Sequence, residues 1–312
     1  MHKEIKKNIL KFNTPRRIVQ FLSFIFLSAI VFNLVALPVL LPVLWTWGLQ
    51  QNTAGDAFAA IQLMLSGWKD INVVSPWLAI ASFLTVGILI GKSLCGWICP
   101  FGFVQDLVDF VNRNKTEISR RTHETMIYVK YAILAITLFI SITFSAAKLM
   151  QVQRSYENAL GIFATAPFTT LSPAETLFAT LPKMVSNFRN ALMEKPVLDA
   201  LSGVSSLPPL FWIQLSIMIT VLVFAAYVPR GWCRYFCPHG AIMAILNRFS
   251  FIGLRREPVK CAKGGCRQCV EVCPTLVPIL DLPWEKFSDP ECIYCLKCVD
   301  ACENKAIKLK YP

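Results

Sequence analysis

Four long apolar stretches constrain the fold of this chain more than any other feature. A helix needs about 20 mostly apolar residues to cross a bilayer, and each stretch offers such a length. Only 16% of the 312 residues are charged, against about 25% in average globular chains. The sequence therefore predicts an all-α polytopic membrane protein with four transmembrane helices. The predicted spans are residues 18–44, 71–91, about 126–147, and a segment within 200–229.

The charges between the spans predict their orientation. A basic leader, residues 1–17, precedes a first span that is too long for a signal peptide and has no small-residue cleavage site. We interpret this span as a retained anchor. Lys and Arg residues, which favour the cytoplasmic side, also follow the second and fourth spans. We therefore expect a multi-pass protein of a bacterial or archaeal inner membrane, with both termini in the cytoplasm.

Two features of the predicted membrane domain, residues 18–259, need separate comment. The loop left outside, residues about 148–209, is long and periplasmic on this topology, and we expect it to be folded rather than to form a helix in the membrane interface. The third span contains a lysine, Lys130, near its start. We expect its ammonium group to extend to the interface, as long basic side chains commonly do.

A cysteine motif, C-x₃-C-P, occurs twice, and we call the two copies the twin motifs. One copy follows the second predicted span and the other follows the fourth. Each is followed by a segment with the pattern of an amphipathic surface helix. The membrane domain thus has an internal repeat of span, cysteine pair and helix. The copies are Cys95 to Gly102 with helix 104–112, and Cys233 to Gly240 with helix 241–249.

The last 52 residues, from Cys261 to Pro312, contain eight of the 12 cysteines, in two runs. The second run has the spacing of bacterial ferredoxins, in which three cysteines bind one 4Fe–4S cluster and the fourth binds the other. The first run is two residues wider at its first interval, where two glycines allow a bulge. We predict two 4Fe–4S clusters in a small α+β cytoplasmic domain, residues 260–312. The predicted ligands are Cys261, Cys266, Cys269 and Cys302 for cluster 1, and Cys292, Cys295, Cys298 and Cys273 for cluster 2.

Three other uses of these cysteines are less compatible with the spacing. A plant-type 2Fe–2S cluster shares the opening interval but takes a distant fourth cysteine, whereas Cys273-Pro274 follows at once. A zinc ribbon needs only paired C-x₂-C knuckles. Disulfides are disfavoured because the cytoplasm is reducing.

The twin-motif cysteines Cys95, Cys99, Cys233 and Cys237 leave two explanations open. Residues at positions i and i+4 of a helix have Cβ atoms about 5–6 Å apart, whereas a disulfide needs about 3.5–4.5 Å. Each pair therefore does not close on itself within a regular helix. Either the two pairs meet and hold a metal, a third cluster or a disulfide between pairs, or the cysteines are small packing residues at helix ends.

The few histidines limit the cofactors. The chain has only His2, His123 and His239, none in the middle of a span, so paired axial ligands for a membrane haem are missing. No C-x-x-C-H haem attachment motif is present, and we predict no haem. His239 follows the second twin motif and is a candidate proton acceptor for a quinol. Alternatively, His239 is a surface histidine beside a turn and has no role in proton transfer.

The net charge of +12 does not require a nucleic-acid partner. Each 4Fe–4S core with four thiolates adds about −2, so two clusters lower the charge to about +8. The remaining excess lies beside the predicted spans, where it sets orientation and contacts anionic lipid.

The combination of four spans, twin motifs and a C-terminal double ferredoxin run resembles the NapH-type membrane iron–sulfur proteins, which are related to the membrane portions of NosR and CcoG. The resemblance implies a quinol dehydrogenase component. Such a subunit takes electrons from the membrane quinone pool and passes them to a periplasmic reductase, of nitrate type as a first guess, through a partner iron–sulfur protein or c-type cytochrome. The widened first run and Glu303, where proline is common, depart from the pattern.

Two other functions use the same cysteines. One is a maturation factor that reduces a metal ion such as copper, with the twin motifs binding the metal transiently. The other is a redox-sensing regulator whose clusters report rather than transmit. The sequence alone does not separate these from the electron-transfer subunit.

Overall fold

The structure is a computed structural model, and it describes residues 10–31, 57–65, 76–111, 116, 118–194, 208–261 and 265–311. These residues are mostly helical, with one two-stranded antiparallel sheet. They form two compact units, one from residues 1–25, 84–134 and 225–312, and another from 26–83 and 135–224. We call them the cysteine unit and the second unit, because all twelve cysteines lie in the first.

The helices are numbered in chain order. The first six are α1 Leu10–Val31, α2 Ala57–Leu65, α3 Pro76–Ile90, α4 Ser93–Trp97, α5 Pro100–Val111 and α6 Arg120–Leu149. The next four are α7 Gln153–Leu160, α8 Ile162–Thr165, α9 Pro173–Glu175 and α10 Leu181–Glu194, with a 3₁₀ turn at Thr169–Leu171 and a π-helical segment at Thr176–Thr180. The last five are α11 Pro209–Tyr227, α12 Gly231–Tyr235, α13 Pro238–Asn247, α14 Gln268–Glu271 and α15 Lys297–Asp300.

Two described helices, α6 and α11, are long and apolar enough to cross a membrane, and they coincide with the third and fourth predicted spans. The apolar part of α3, Ile80–Ile90, is shorter. Within the first predicted span the structure describes helix only to Val31, and the rest of that span lies outside the described residues. The structure therefore supports membrane association, while the four-span topology remains a prediction.

The second unit contains the described part of the long loop, which is folded into short helices. Gln62 from α2 donates a hydrogen bond to the carbonyl oxygen of Ala164 at 3.1 Å. Gln214 from α11 donates to the carbonyl oxygen of Thr170 at 2.8 Å. Buried amides that reach the backbone of the loop satisfy polar groups that would otherwise be unpaired, and so fix the loop against these two helices.

The cysteine unit ends in the sheet. Strand β1, Gly253–Arg256, pairs antiparallel with β2, Ile307–Lys310, so that Leu254 lies opposite Leu309. Strand β1 lies before residue 260, the predicted start of the ferredoxin domain. The cysteine runs lie between the strands, around an apolar core that includes Leu254, Ile279 and Phe287. The observed sheet and short helices agree with the predicted α+β ferredoxin type.

Candidate functional site

The twin motifs form the same local structure. In each, the first cysteine lies in a five-residue helix, α4 or α12, and the second directly precedes the proline that begins the next helix. The backbone N–H of Cys99 donates to the carbonyl oxygen of Leu94, and that of Cys237 donates to Trp232, both at 3.0 Å. Proline suits the first helical position because it has no N–H to leave unpaired. The repeat seen in the sequence is thus a structural repeat.

A glycine three residues after the second cysteine completes each motif. A Cβ atom at Gly102 would lie 3.1 Å from the carbonyl oxygen of Cys95, and one at Gly240 would lie 2.9 Å from that of Cys233. The glycines therefore let the helix after each cysteine pair pack closely on the backbone before it. The sequence showed both glycines but not this reason for them.

The two cysteine pairs meet inside the cysteine unit. The thiols of Cys99 and Cys233 are hydrogen-bonded to each other, and Gln105 from α5 donates to the sulfur of Cys233 at 3.0 Å. Cys95 and Cys237 lie close enough to act electrostatically on Cys233. All twelve cysteines are unpaired thiols. Of the two explanations left open by the sequence, this arrangement favours the one in which the pairs meet.

Burial and mutual repulsion disfavour the thiolate form at most of these four positions. Burial raises the pKa of Cys95 to about 11 and that of Cys237 to about 12. The pKa of Cys233 is lowered to about 7, first by the hydrogen bond with Cys99 and also by Arg230. Buried thiols that repel one another as thiolates are stabilised when a metal or cluster supplies positive charge. The donor set of the twin motifs therefore fits a thiolate-bound centre.

A buried ion cluster braces the twin motifs. Arg230, which precedes α12, donates to Asp106 at 2.7 and 2.8 Å and to the carbonyl oxygen of Cys95 at 2.6 Å. Arg16 from α1 also bonds Asp106, and it donates to the carbonyl oxygen of Gly96 at 3.0 Å. Burial would raise the pKa of Asp106, but the two guanidinium groups outweigh it and hold that pKa well below its usual range. One carboxylate therefore joins α1, α5 and both motifs.

A second buried ion cluster is centred on Glu291. This carboxylate bonds Lys92 at 2.8 Å and also bonds Lys130. Lys130 is 0% exposed and Lys92 is 1% exposed, so Lys130 does not extend to the interface as expected. Burial would raise the pKa of Glu291, but the charges of Lys92 and Lys130 lower it to about 2. The cluster fixes the second cysteine run to α6 and to the start of the first twin motif.

The C-terminal cysteines lie in two groups. Three cysteines lie near enough to Cys269 to raise its pKa electrostatically; in decreasing order of effect they are Cys266, Cys261 and Cys302. The cysteines that raise the pKa of Cys298 in the same way are, in decreasing order of effect, Cys295, Cys292, Cys273 and Cys269. We call these sets the first and second C-terminal groups, with Cys269 belonging to the first. They bring together the same residues that the spacing predicted for cluster 1 and cluster 2, and the ligand assignment itself stays a prediction.

The two C-terminal groups are built alike. The backbone N–H of Val277 donates to the sulfur of Cys273 at 3.4 Å, and that of Ala306 donates to the sulfur of Cys302 at 3.3 Å. Each donor follows a non-glycine residue with positive φ, Leu276 at 54° or Lys305 at 48°. Hydrogen bonds to thiolate sulfur are among the features by which a protein tunes a cluster's reduction potential. The local geometry thus suits an iron–sulfur ligand at both positions.

The spacing of these sulfurs does not suit a single ion. Among the described residues, no three His, Cys, Asp or Glu side chains converge closely enough to hold one metal ion. A 4Fe–4S core binds its four cysteines through four different iron atoms, so its ligands stand farther apart than those of a single ion. Each C-terminal group supplies four cysteines, the number of protein ligands that one 4Fe–4S core takes.

The second C-terminal group packs directly on both twin motifs. A Cβ atom at Gly96 would lie only 2.2 Å from the carbonyl oxygen of Ile293, and the indole of Trp97 donates to the carbonyl oxygen of Tyr294 at 2.9 Å. Arg234, which occupies in the second motif the position of Gly96 in the first, donates to the carbonyl oxygen of Pro274 at 2.9 Å. One motif thus contacts the loop after Cys292, and the other contacts the residue after Cys273.

The histidines occupy different places. His239 is half-buried at the start of α13, and its predicted role stays a prediction. His123 is buried in α6, and its Nδ1 lies 2.8 Å from the hydroxyl oxygen of Tyr235. No local pattern in the sequence connects these two residues, because they are 112 positions apart.

Comparison with known proteins adds to the geometry. A family described as "4Fe-4S binding domain" matches the chain twice, at residues 73–116 and 210–257, the segments that hold the twin motifs. The chain is 26% identical to the ferredoxin-type protein NapH of Haemophilus influenzae over 72% of this chain. The chain is thus similar to the NapH/NosR-like ferredoxin-type iron–sulfur proteins. This relationship supports iron–sulfur clusters as its cofactors.

Two more relatives extend the comparison. YccM of Escherichia coli is 26% identical over 83% of this chain, and the regulatory protein NosR of Pseudomonas aeruginosa is 23% identical over 81% of it. The chain spans 67% of YccM, 64% of NapH and 30% of NosR. No solved structure matches the chain. The NapH/NosR-like relationship therefore rests on sequence, and the activities of the longer relatives do not transfer as a whole.

Proposed function

We propose that this chain is the membrane iron–sulfur subunit of a quinol dehydrogenase, which passes electrons from the quinone pool to a periplasmic respiratory reductase of nitrate type. Four transmembrane helices hold the twin motifs at the cytoplasmic edge of an inner membrane, with both termini in the cytoplasm. Cysteines of the two C-terminal groups hold two 4Fe–4S clusters, which supply one-electron transfer. A partner iron–sulfur protein or c-type cytochrome completes the path to the reductase.

The observation that carries this proposal is the continuity of the cysteine groups. The first C-terminal group adjoins the second through Cys269 and Cys298. The second group in turn contacts both twin motifs through Ile293 and Pro274. A series of adjacent redox centres is what an electron-transfer subunit requires, whereas a regulator needs only one centre that reports.

Iron content and its response to quinol test the proposal. Two clusters give about eight irons per chain, and a third centre on the twin motifs raises this to about twelve. We expect the double substitution Cys292→Ala and Cys295→Ala to remove about four irons and to abolish reduction by a menaquinol analogue. The measurements are anaerobic iron and sulfide quantification and low-temperature EPR of the purified protein, before and after addition of quinol.

Two further variants sharpen this experiment. Cys261→Ala with Cys266→Ala should also remove about four irons, but it leaves the group that contacts the twin motifs. Ser288→Ala, which loses only an exposed hydrogen bond to the carbonyl oxygen of Arg248, serves as the control with full iron content. Full quinol-dependent reduction in the Cys292→Ala, Cys295→Ala protein would refute the proposal.

The thiol contact between Cys99 and Cys233 also favours a second candidate, a factor that reduces copper during assembly of another metalloenzyme. Thiolates are the ligands that select Cu(I), and an adjacent cluster supplies the electron. This function predicts stoichiometric copper binding that is lost when Cys95 and Cys237 are both replaced by serine. Clusters that are present but unreactive with quinol, together with such copper binding, would favour this candidate over the first.

A further inference from the structure

A cavity of about 700 Å³ lies in the cysteine unit, between the start of α6 and the C-terminal groups. Its lining has an apolar part and a polar part. One part is apolar and includes Ile127, Val270, Leu276 and Val277. The other part is polar and is lined by Arg120, His123, Glu124, Arg267, Asp281, Asp289 and Glu291. Ligand sites of this kind combine an apolar wall with a few polar groups that fix orientation. The cavity has the volume and lining for a substituted aromatic ring.

The histidine in this cavity is held in place. His123 is 6% exposed, and its ring meets that of Tyr235 edge-on, with 5.7 Å between ring centroids. Nδ1 lies 2.8 Å from the Tyr235 hydroxyl oxygen. In the tautomer in which Nδ1–H donates to that oxygen, Nε2 carries no hydrogen and is the ring nitrogen that can accept a proton. Arg234 lies over the ring of Tyr235 at 4.6 Å and restrains it in turn. An imidazole oriented in this way suits proton transfer, because its geometry is fixed before the ligand arrives.

The apolar wall adjoins the sulfurs of both C-terminal groups. Val277 lines the cavity, and its backbone N–H donates to the sulfur of Cys273 in the second group. Val270 lines the cavity as well and directly follows Cys269 of the first group. A ring in the cavity is therefore separated from each group by a single residue.

The cavity also adjoins the predicted membrane surface. His123 and Glu124 precede, by two or three residues, the point at which the third predicted span begins, near Met126. A ligand that dissolves in the bilayer can reach such a site from the lipid, while protons leave toward water through the exposed Glu124. This position suits an amphipathic redox substrate with an apolar tail.

We propose that this cavity binds the hydroquinone headgroup of a membrane quinol, and that Nε2 of His123 accepts the first hydroxyl proton. The inference rests on the proposed function and names its substrate site. Oxidation of one hydroquinone to quinone releases two protons and two electrons. The first proton would go to Nε2 of His123 and the second to Glu124 and water, and the two 4Fe–4S clusters that the C-terminal groups would hold would accept one electron each. His239, the acceptor suggested by the sequence, does not line this cavity.

Direct binding of a quinol analogue tests the site without turnover. The probe is 2-heptyl-4-hydroxyquinoline N-oxide, whose fluorescence is quenched on binding, titrated into the full chain in detergent. We expect His123→Gln to weaken binding by about tenfold, the effect of one lost hydrogen bond to a buried ligand. Ile127→Trp keeps both His123 and Tyr235 but fills part of the cavity one helical turn from His123, and it should abolish binding. Thr125→Ala, an exposed position on the same helix, is the control and should bind normally.

Reduction kinetics separate this inference from the proposed function. We expect reduction by a menaquinol analogue to be about a hundredfold slower in His123→Gln, the usual scale for loss of a general base. Reduction by dithionite should be unchanged, because the clusters remain. In the wild-type protein the quinol rate should fall at acid pH as His123 is protonated, and the variant should lose this dependence. Burial is the main cause that lowers the pKa of His123, and the charges of Arg234 from α12 and Lys130 from α6 lower it further. Glu124 from α6 and Glu291, which precedes the second cysteine run, raise this pKa.

Each failure has a different meaning. A wild-type protein that dithionite reduces but quinol does not would overturn the proposed function and this inference together. Normal quinol reduction and normal probe binding in both His123→Gln and Ile127→Trp would overturn the inference alone. If His239→Gln lost the quinol reaction and His123→Gln kept it, the inference would be wrong and His239 would be the proton acceptor.

Discussion

Replacement of Glu291 by glutamine is expected to destabilise the protein by about 3–5 kcal/mol, the range for removing one partner of a buried ion pair. Glu291 is 5% exposed and is the shared partner of Lys92 and Lys130. Its loss leaves two ammonium groups buried side by side without a counter-charge. The measurement is thermal unfolding of the purified protein in detergent, followed by tryptophan fluorescence, together with iron content.

Matched variants show whether the charge is the cause. Glu303→Gln removes a carboxylate that is exposed and holds one hydrogen bond from Gln268 at 3.3 Å, so its effect should stay within about 0.5 kcal/mol. Adding Lys130→Met to Glu291→Gln removes one of the stranded charges and should recover part of the lost stability. An unfolding temperature for Glu291→Gln equal to that of Glu303→Gln would show that the cluster around Glu291 does not hold this unit together.

Substitution of Gly96 by alanine is expected to separate the first twin motif from the second C-terminal group. The added Cβ would lie 2.2 Å from the carbonyl oxygen of Ile293, well inside contact distance. Because the obstacle is backbone rather than a flexible side chain, the loop from Cys292 to Cys295 has to move. Overpacking of this kind destabilises by about 1–3 kcal/mol. We expect a lower unfolding temperature and loss of iron from the second group.

The matched control for Gly96→Ala is Gly265→Ala. Gly265 lies in the first cysteine run, and a Cβ atom there meets nothing within 4 Å. This variant should keep both its iron and its unfolding temperature. If Gly96→Ala retained full iron content and the unfolding temperature of Gly265→Ala, the close packing between Gly96 and Ile293 would not be needed to position the cysteines.

The intervals between neighbouring cysteines account for most of what could be predicted about the candidate site from the sequence. The x₂ and x₃ intervals grouped the C-terminal cysteines into the sets that the structure brings together, because ligands of one cluster come from a tight loop and a following helical turn. The repeated C-x₃-C-P motif likewise predicted two similar local structures. In both cases the information lies within a few residues of the chain.

Long-range contacts escaped prediction for a physical reason. Lys130 lies in an apolar segment, and the apolar pattern around it predicts that its ammonium group extends to the membrane interface. Its partner Glu291 is 161 positions away, and no periodicity connects them. Asp106 likewise joins Arg16 and Arg230, which come from distant parts of the chain. Strand β1 was missed as well, because four residues with two arginines have no clear strand pattern.

The attachment of the C-terminal domain determines how electrons can move through it. Strand β1 comes just after α13, β2 lies near the end of the chain, and the two strands pair with each other. The backbone N–H of Phe251 donates to Ile88 at 3.0 Å, and the ammonium group of Lys286 reaches the carbonyl oxygens of Ser250 and Phe251. These contacts hold the segment before β1, the strand β2 near the end of the domain, and Lys286 between them. A domain held at these three places cannot swing between donor and acceptor. Electron transfer within it should therefore be insensitive to solvent viscosity, unlike transfer by a mobile shuttle domain.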